Sequence, residues 1–207
     1  MEGIINIAGV MPRIGTTTFA LQLIGFLKAN NYNAAYVERN PNRYIKNAIG
    51  MYASGKEDSA VGKYSCEGID LFPEAGMEYL TAGGSPYDYI VCDFGNVQQP
   101  DFVKASGTFK EKGVPVVVAG LKANELPYTE EILKDKSYRQ AAYVFNFARK
   151  EDEAEVLGLM KELSPATAFL PYTPDPFIYA GNAEKAFYTV MNHVMRRLQE
   201  GNANGKV

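Results

Sequence analysis

The sequence predicts an α/β fold, a mostly parallel sheet of about seven strands with helices on both faces. Three observations lead there. Short runs rich in β-branched and aromatic residues recur along the 207 positions, and most are apolar throughout, as in strands buried on both faces of a parallel sheet. Segments with helical spacing separate them, so strand and helix alternate. The composition, 46% hydrophobic and 22% charged, is that of an ordered chain, and at this length one core can bury most of its apolar surface.

The first strand is expected over Ile4–Ala8 and runs into GVMPRIGTTT, where Gly15 supplies a tight turn and threonines open a helix over Thr17–Ala29. That helix is apolar on nearly every face, with Phe19, Leu23, Phe26 and Leu27 free to meet other elements. It is therefore placed as the central helix across the sheet. Ala34–Val37 reads as the second strand and Arg43–Tyr52 as the second helix. The polar stretch ASGKEDSAVGKYS, Ala53–Ser65, reads as an exposed loop or short helix inside one domain.

Strands follow at Ile69–Phe72 and Tyr89–Cys92, then a helix at Phe102–Lys112 and a strand at Val114–Ala119. A short helix at Thr129–Lys134, a strand at Ala142–Phe147, a helix at Glu151–Leu163 and a strand at Thr167–Leu170 continue the alternation. In the last helix, Asn182–Gln199, the residues Ala183, Ala186, Phe187, Val190, Met191, Val194, Met195 and Leu198 form one stripe at i, i+3, i+4, i+7 spacing. The stripe is read as core rather than as a lipid-binding face. Residues 1–200 are expected to form a single domain, with GNANGKV, 201–207, as a flexible tail.

Several function classes lose support at once. The net charge of -3 comes with no basic block, so nothing signals a nucleic-acid surface. Cys66 and Cys92 lie in unrelated segments without clustered histidines, which argues against a zinc site and a disulfide scaffold and for a reducing, cytoplasmic setting. The N-terminus opens directly on the strand-like GIINIA, without a charged segment and long apolar run. No stretch approaches the roughly 18 uninterrupted apolar residues of an integral membrane segment. His193, the single histidine, has no second ligand at helical spacing and is read as a surface or partly packed residue. Ser54, Ser59 and Ser65 lack a nucleophile elbow. Tyrosines expected in loops, at Tyr44, Tyr52, Tyr87, Tyr128, Tyr172 and Tyr179, make a protein partner plausible without identifying one.

The chemistry is expected at the first turn. A phosphate-binding loop works because successive backbone N–H groups and a helix N-terminus converge on the anion, a lysine adds charge and a Ser/Thr hydroxyl ligates magnesium. Gly15 stands at the close-approach turn, Thr17 at the hydroxyl position, and Thr16 where the lysine would be. A strand, a glycine turn and threonine caps also make an ordinary capped helix. Downstream, SPYDYIVCDFGNV puts Asp93 at the C-terminal end of a buried strand, where an acid can hold magnesium through water.

The order GVMPRIGTTTFALQLIGFLKANNYNAAYVERNP, YDYIVCDFG, YVFNFARK, AFLPYTPDPF resembles, over almost the whole chain, the MinD/ParA family of deviant phosphate-loop ATPases. The resemblance implies a three-layer P-loop NTPase-like fold. It also implies a nucleotide site in which Gly15, Thr16, Thr17 and Thr18 form the loop, Thr17 and Asp93 hold magnesium, and Asn146 and Pro171 lie at the adenine. Family members read xKGGxGK[ST]T in the loop and Asp-x-Asp after the second strand. Here the signature lysine falls on Met11, the loop glycines on Pro12 and Arg13, the loop lysine on Thr16, and the acid pair on Glu38 and Asn40. The position that polarises water thus carries an amide.

The expectation that follows is a member with a degenerate site, a homodimer across the loop face that binds ATP and magnesium weakly or not at all. It would act as a positioning or regulatory protein through an unidentified protein partner, cytoplasmic or held at a membrane or cell pole by that partner. The alternative is a slow Mg-ATP-dependent switch in which Arg13, or a lysine such as Lys122, replaces the loop lysine. A DNA-associated partition component is a third reading, for which the charge gives no support.

Overall fold

The computed structural model describes residues 3–52, 62–73, 80–81, 85–179 and 181–203. In chain order these form β1 (Gly3–Gly9), α1 (Thr16–Ala29), β2 (Ala34–Glu38), α2 (Tyr44–Tyr52), β3 (Tyr64–Cys66), β4 (Ile69–Phe72) and β5 (Tyr89–Asn96). Then come α3 (Pro100–Glu111), β6 (Val114–Ala119), α4 (Leu126–Lys134), β7 (Ala142–Asn146), α5 (Glu153–Met160), β8 (Thr167–Leu170) and α6 (Glu184–Ala203). The strands make one sheet in the order β3-β4-β2-β5-β1-β6-β7-β8. All neighbours are parallel except β3, which pairs antiparallel with β4. With helices on both faces this is the expected three-layer α/β architecture of a P-loop NTPase-like fold.

β1 and β5 lie at the centre, and their side chains are buried almost without exception, as the continuous apolar runs require. The strand order reverses between them and β6, which opens a crevice at the C-terminal ends of the central strands. On one face α1 and α6 pack together through aromatics: the Phe187 ring stacks on Phe19 at 5.9 Å and on Phe26 at 5.3 Å. Asn6 on β1 reaches α3, where its amide donates to the carbonyls of Thr108, Phe109 and Lys112 at 3.3, 3.0 and 3.2 Å. It thereby adds a donor to the carbonyls at the C-terminal end of α3.

Several boundaries differ from expectation. The segment read as loop to Ser65 ends in β3, because Glu67 and Gly68, both at positive φ, turn the chain into a hairpin with β4; residues 53–61 lie outside the described ones. The helix expected over Glu151–Leu163 is split into a short 3-10 turn at Lys150–Asp152, α5, and a 3-10 segment at Lys161–Ala166 containing Pro165. Lys161, at φ 49°, ends the α-helical part. α6 continues to Ala203, three residues into the stretch expected to be a tail; its last turns extend a helix already anchored in the core. Tyr44 and Tyr52 bound α2, as the expected second helix requires, and Tyr128 lies within α4, so these three tyrosines are helical rather than in loops. Tyr87 is in a loop but buried, its hydroxyl donating to Asp70 at 2.8 Å.

His193 is buried rather than at the surface. Its Nε2 lies 3.0 Å from the Gln140 carbonyl and its Nδ1 3.1 Å from the Arg196 guanidinium, which makes it a structural tie between α6 and the start of β7.

Candidate functional site

The loop between β1 and α1 sits at the crevice. It leaves β1 at Gly9, where any side chain would collide with Ile14 and the Thr16 hydroxyl. It turns back through Arg13 at φ 64° and Gly15 at φ 93°. A Cβ on Gly15 would strike the Asn146 amide, so this glycine is required by both its backbone angle and the close approach of β7. Val10 N–H donates to Val118 O at 2.9 Å and Val97 N–H to Gly9 O at 2.9 Å, which fixes the entry to the loop against both neighbouring strands. Pro12 and Arg13 at the crest are exposed, Met11 is half-buried against the core and Thr16 is buried.

Beneath the loop the structure brings Thr17 and Asp93 together. The Thr17 hydroxyl donates to Asp93 Oδ2 at 2.6 Å. The same oxygen accepts from the Tyr36 hydroxyl at 2.8 Å, while Oδ1 accepts from Gly95 N–H at 2.8 Å. Asp93 is 0% exposed, and burial pushes its carboxyl above the usual range against the opposing pull of those three donors. Tyr36 is raised well above an ordinary phenol, first by burial and then by the charges of Asp93 and Glu38. It remains a hydrogen-bond donor at any physiological pH.

The other positions at the end of β2 are engaged as well. Glu38 is buried and accepts from Ile45 and Lys46 N–H at 2.9 and 3.2 Å, capping the first turn of α2. Burial raises its carboxyl too. Asn40 is held at both ends of its amide: Nδ2 donates to the Asp93 carbonyl at 3.0 Å and Oδ1 accepts from Asn42 N–H at 3.1 Å.

Across the crevice, Asn146 at the end of β7 donates from Nδ2 to the Ile14 carbonyl at 2.8 Å, so it ties the loop down. Phe147, next in the chain, has φ 57°, a strained value for a non-glycine residue. Its ring contacts Tyr172 at 5.8 Å, and Lys122 Nζ lies 5.4 Å above it. Lys122 also pairs with the buried Glu125 at 3.4 Å. Pro171 is exposed at the end of β8. The loop beyond it is clamped to α1 by the buried Gln22, whose Nε2 donates to the carbonyls of Asp175, Pro176 and Ile178 at 3.1, 3.0 and 2.8 Å.

Sequence reading missed Tyr36, Glu125 and Phe147. Tyr36 was hidden in the apolar run AAYVE, where only strand alternation marks it as sharing a face with Glu38. Glu125 and Phe147 had no local signal, since both matter through contacts with distant segments.

A chain of the MinC:MinD cell division protein complex from Aquifex aeolicus superposes with a TM-score of 0.64 at 14% identity, covering 96% of each chain. A ParA family ATPase from Chlorobium tepidum gives 0.55 at 14%, covering 96% of this chain and 99% of that one. The pNOB8 ParA bound to nonspecific DNA gives 0.61 at 12%, covering 97% and 99%. This chain has a MinD/ParA-type fold. No protein-family model matches it, and no curated protein sequence matches it significantly.

That fold implies a nucleotide and magnesium at this crevice. The donor types at Thr17 and Asp93, a hydroxyl and a carboxylate, are those a magnesium ion takes. Their present geometry does not fit one: three protein donors already occupy a fully buried carboxylate. Among the described residues no group of three or more His, Cys, Asp or Glu is arranged to hold a metal, and no helix is long and apolar enough to cross a membrane.

Proposed function

We propose that this protein is a MinD/ParA-like chain with a degenerate nucleotide site, acting as a non-hydrolysing positioning or regulatory protein that at most binds nucleotide. The observation that carries this reading is Asn40. It stands where the family resemblance puts the water-activating acid, carries no base, and has both ends of its amide committed to backbone hydrogen bonds. The uncharged residues Met11 and Thr16 at the two lysine positions point the same way.

Phosphoryl transfer rests on positioning and charge neutralisation. Removing a single electrostatic stabiliser costs a factor of about 10²–10³ in rate, and here two lysines and an acid are replaced. The buried carboxylates Glu38, Asp93 and Glu125 gather negative charge near a loop meant for an anion. Function on this reading lies in association: with a second copy across the loop face and with a protein partner, which would hold the chain at a membrane or pole. One structural neighbour is a complex of MinD with MinC, which supports assembly as a use of this fold.

Arg13 favours the second reading, a slow Mg-ATP switch. It is exposed on the crest of the loop, and a guanidinium matches phosphate geometry. Lys122 is the poorer substitute because Glu125 already pairs with it. Steady-state phosphate release from Mg-ATP separates the readings. No turnover above background is expected, and turnover that disappears in Asp93→Ala would overturn the proposal.

A further inference from the structure

The Tyr36 hydroxyl takes part in no reaction described above, yet its side chain is fully buried at the site. Tyr36 lies on β2 two residues before Glu38, so both side chains project from one face of the sheet. The register then pairs Glu38 with Asp93 on β5. The hydroxyl donates to Asp93 Oδ2 at 2.8 Å, sharing that oxygen with Thr17 at 2.6 Å, and Gly95 N–H holds Oδ1 at 2.8 Å. An ionised carboxylate offers about four acceptor positions, so most of its capacity is used inside the protein.

A magnesium ion needs a near-octahedral oxygen shell and gives up its waters reluctantly. One acceptor position remains on Asp93, so the ion or one of its waters competes at this carboxylate with buried hydrogen bonds to a charged group, among the stronger kinds a protein makes. We propose that the Tyr36 hydroxyl, by holding the Asp93 oxygen that Thr17 also bonds, keeps a divalent cation from the Thr17–Asp93 position and joins β2 to β5 there. This rests on the non-hydrolysing reading and assigns its metal insensitivity to one oxygen atom. The phenol suits the task because burial and the neighbouring acids keep its proton in place.

The test is Mn²⁺ binding, followed by loss of the free-ion paramagnetic resonance signal with and without ATP. The proteins compared are the full-length wild type, Tyr36→Phe and Tyr36→Phe/Asp93→Asn. Tyr36→Phe keeps the ring and removes only the hydroxyl. It is expected to bind Mn²⁺ at least about tenfold more tightly than the wild type, the scale of one hydrogen bond to a charged group, and the double variant is expected to lose the gain. Equal Mn²⁺ binding by wild type and folded Tyr36→Phe, or a gain that persists in the double variant, would overturn the proposal. Tyr36→Leu serves as the second variant if near-UV circular dichroism shows that Tyr36→Phe does not fold. Phosphate release by the wild type would instead contradict the non-hydrolysing reading, so the two failures are separable.

Discussion

Asn146 shows how one side chain can serve structure at a position associated with ligand. Its buried amide reaches the Ile14 carbonyl 132 residues away at 2.8 Å, and Gly15 leaves just enough room for it. Asn146→Ala strands a buried carbonyl, which costs about 1–3 kcal/mol. The expected outcome is a lowered urea midpoint, with amide exchange rising first in the 10–16 loop. Asp93 makes a prediction in pH. Burial raises its carboxyl in the folded state, so the folded protein holds that proton more tightly than the unfolded chain does. The resulting stabilisation is complete below the unfolded value near 3.9 and is lost as pH rises through the folded value. Relative to Asp93→Asn, which cannot titrate, the wild type should therefore lose urea stability as pH rises above about 4 and through the raised folded value. A flat difference across that range would contradict the raised value. Glu38 contributes with the same sign.

Among the elements, α1 and α6 hold one face of the sheet through the ring of Phe187, which is 0% exposed and stacks on Phe19 and Phe26. Phe187→Ala should cost about 3–5 kcal/mol, as for other buried aromatics, read as a shift in the denaturation midpoint at unchanged slope. α6 was legible in the sequence because a stripe of apolar residues at helical spacing is a strong local signal, and α1 because a long apolar segment follows a glycine turn and threonine caps. The strands β1, β2 and β5 were legible for the same reason, as uninterrupted apolar runs bounded by turns. β3 was not, because a three-residue edge strand owes its existence to the hairpin with β4 rather than to its own pattern. The candidate site divides in the same way. Gly15, Thr17, Asp93 and Asn146 stand at the ends of legible elements, whereas the roles of Tyr36, Glu125 and Phe147 depend on side chains meeting across the sheet.

At the scale of the molecule, strand order and helix placement set the loop, the end of β2, the end of β5 and the end of β7 around one crevice. That is where the family resemblance places a nucleotide, and it is also where this chain has drawn its own polar groups together. Asn40, Asn146 and Asp93 are all bonded to protein partners. The contacts that tie the loop down would compete with a ligand for those groups. The proposed account therefore ties two properties, an ordered crevice and weak or absent response to magnesium nucleotide, to one set of hydrogen bonds. The most direct measurement is thermal unfolding across a titration of ATP, with and without magnesium. The account predicts that any ATP-dependent stabilisation is the same with magnesium as without it. A magnesium-dependent gain approaching about 2.7 kcal/mol at about 100 times the dissociation constant, abolished in Asp93→Asn, would contradict it.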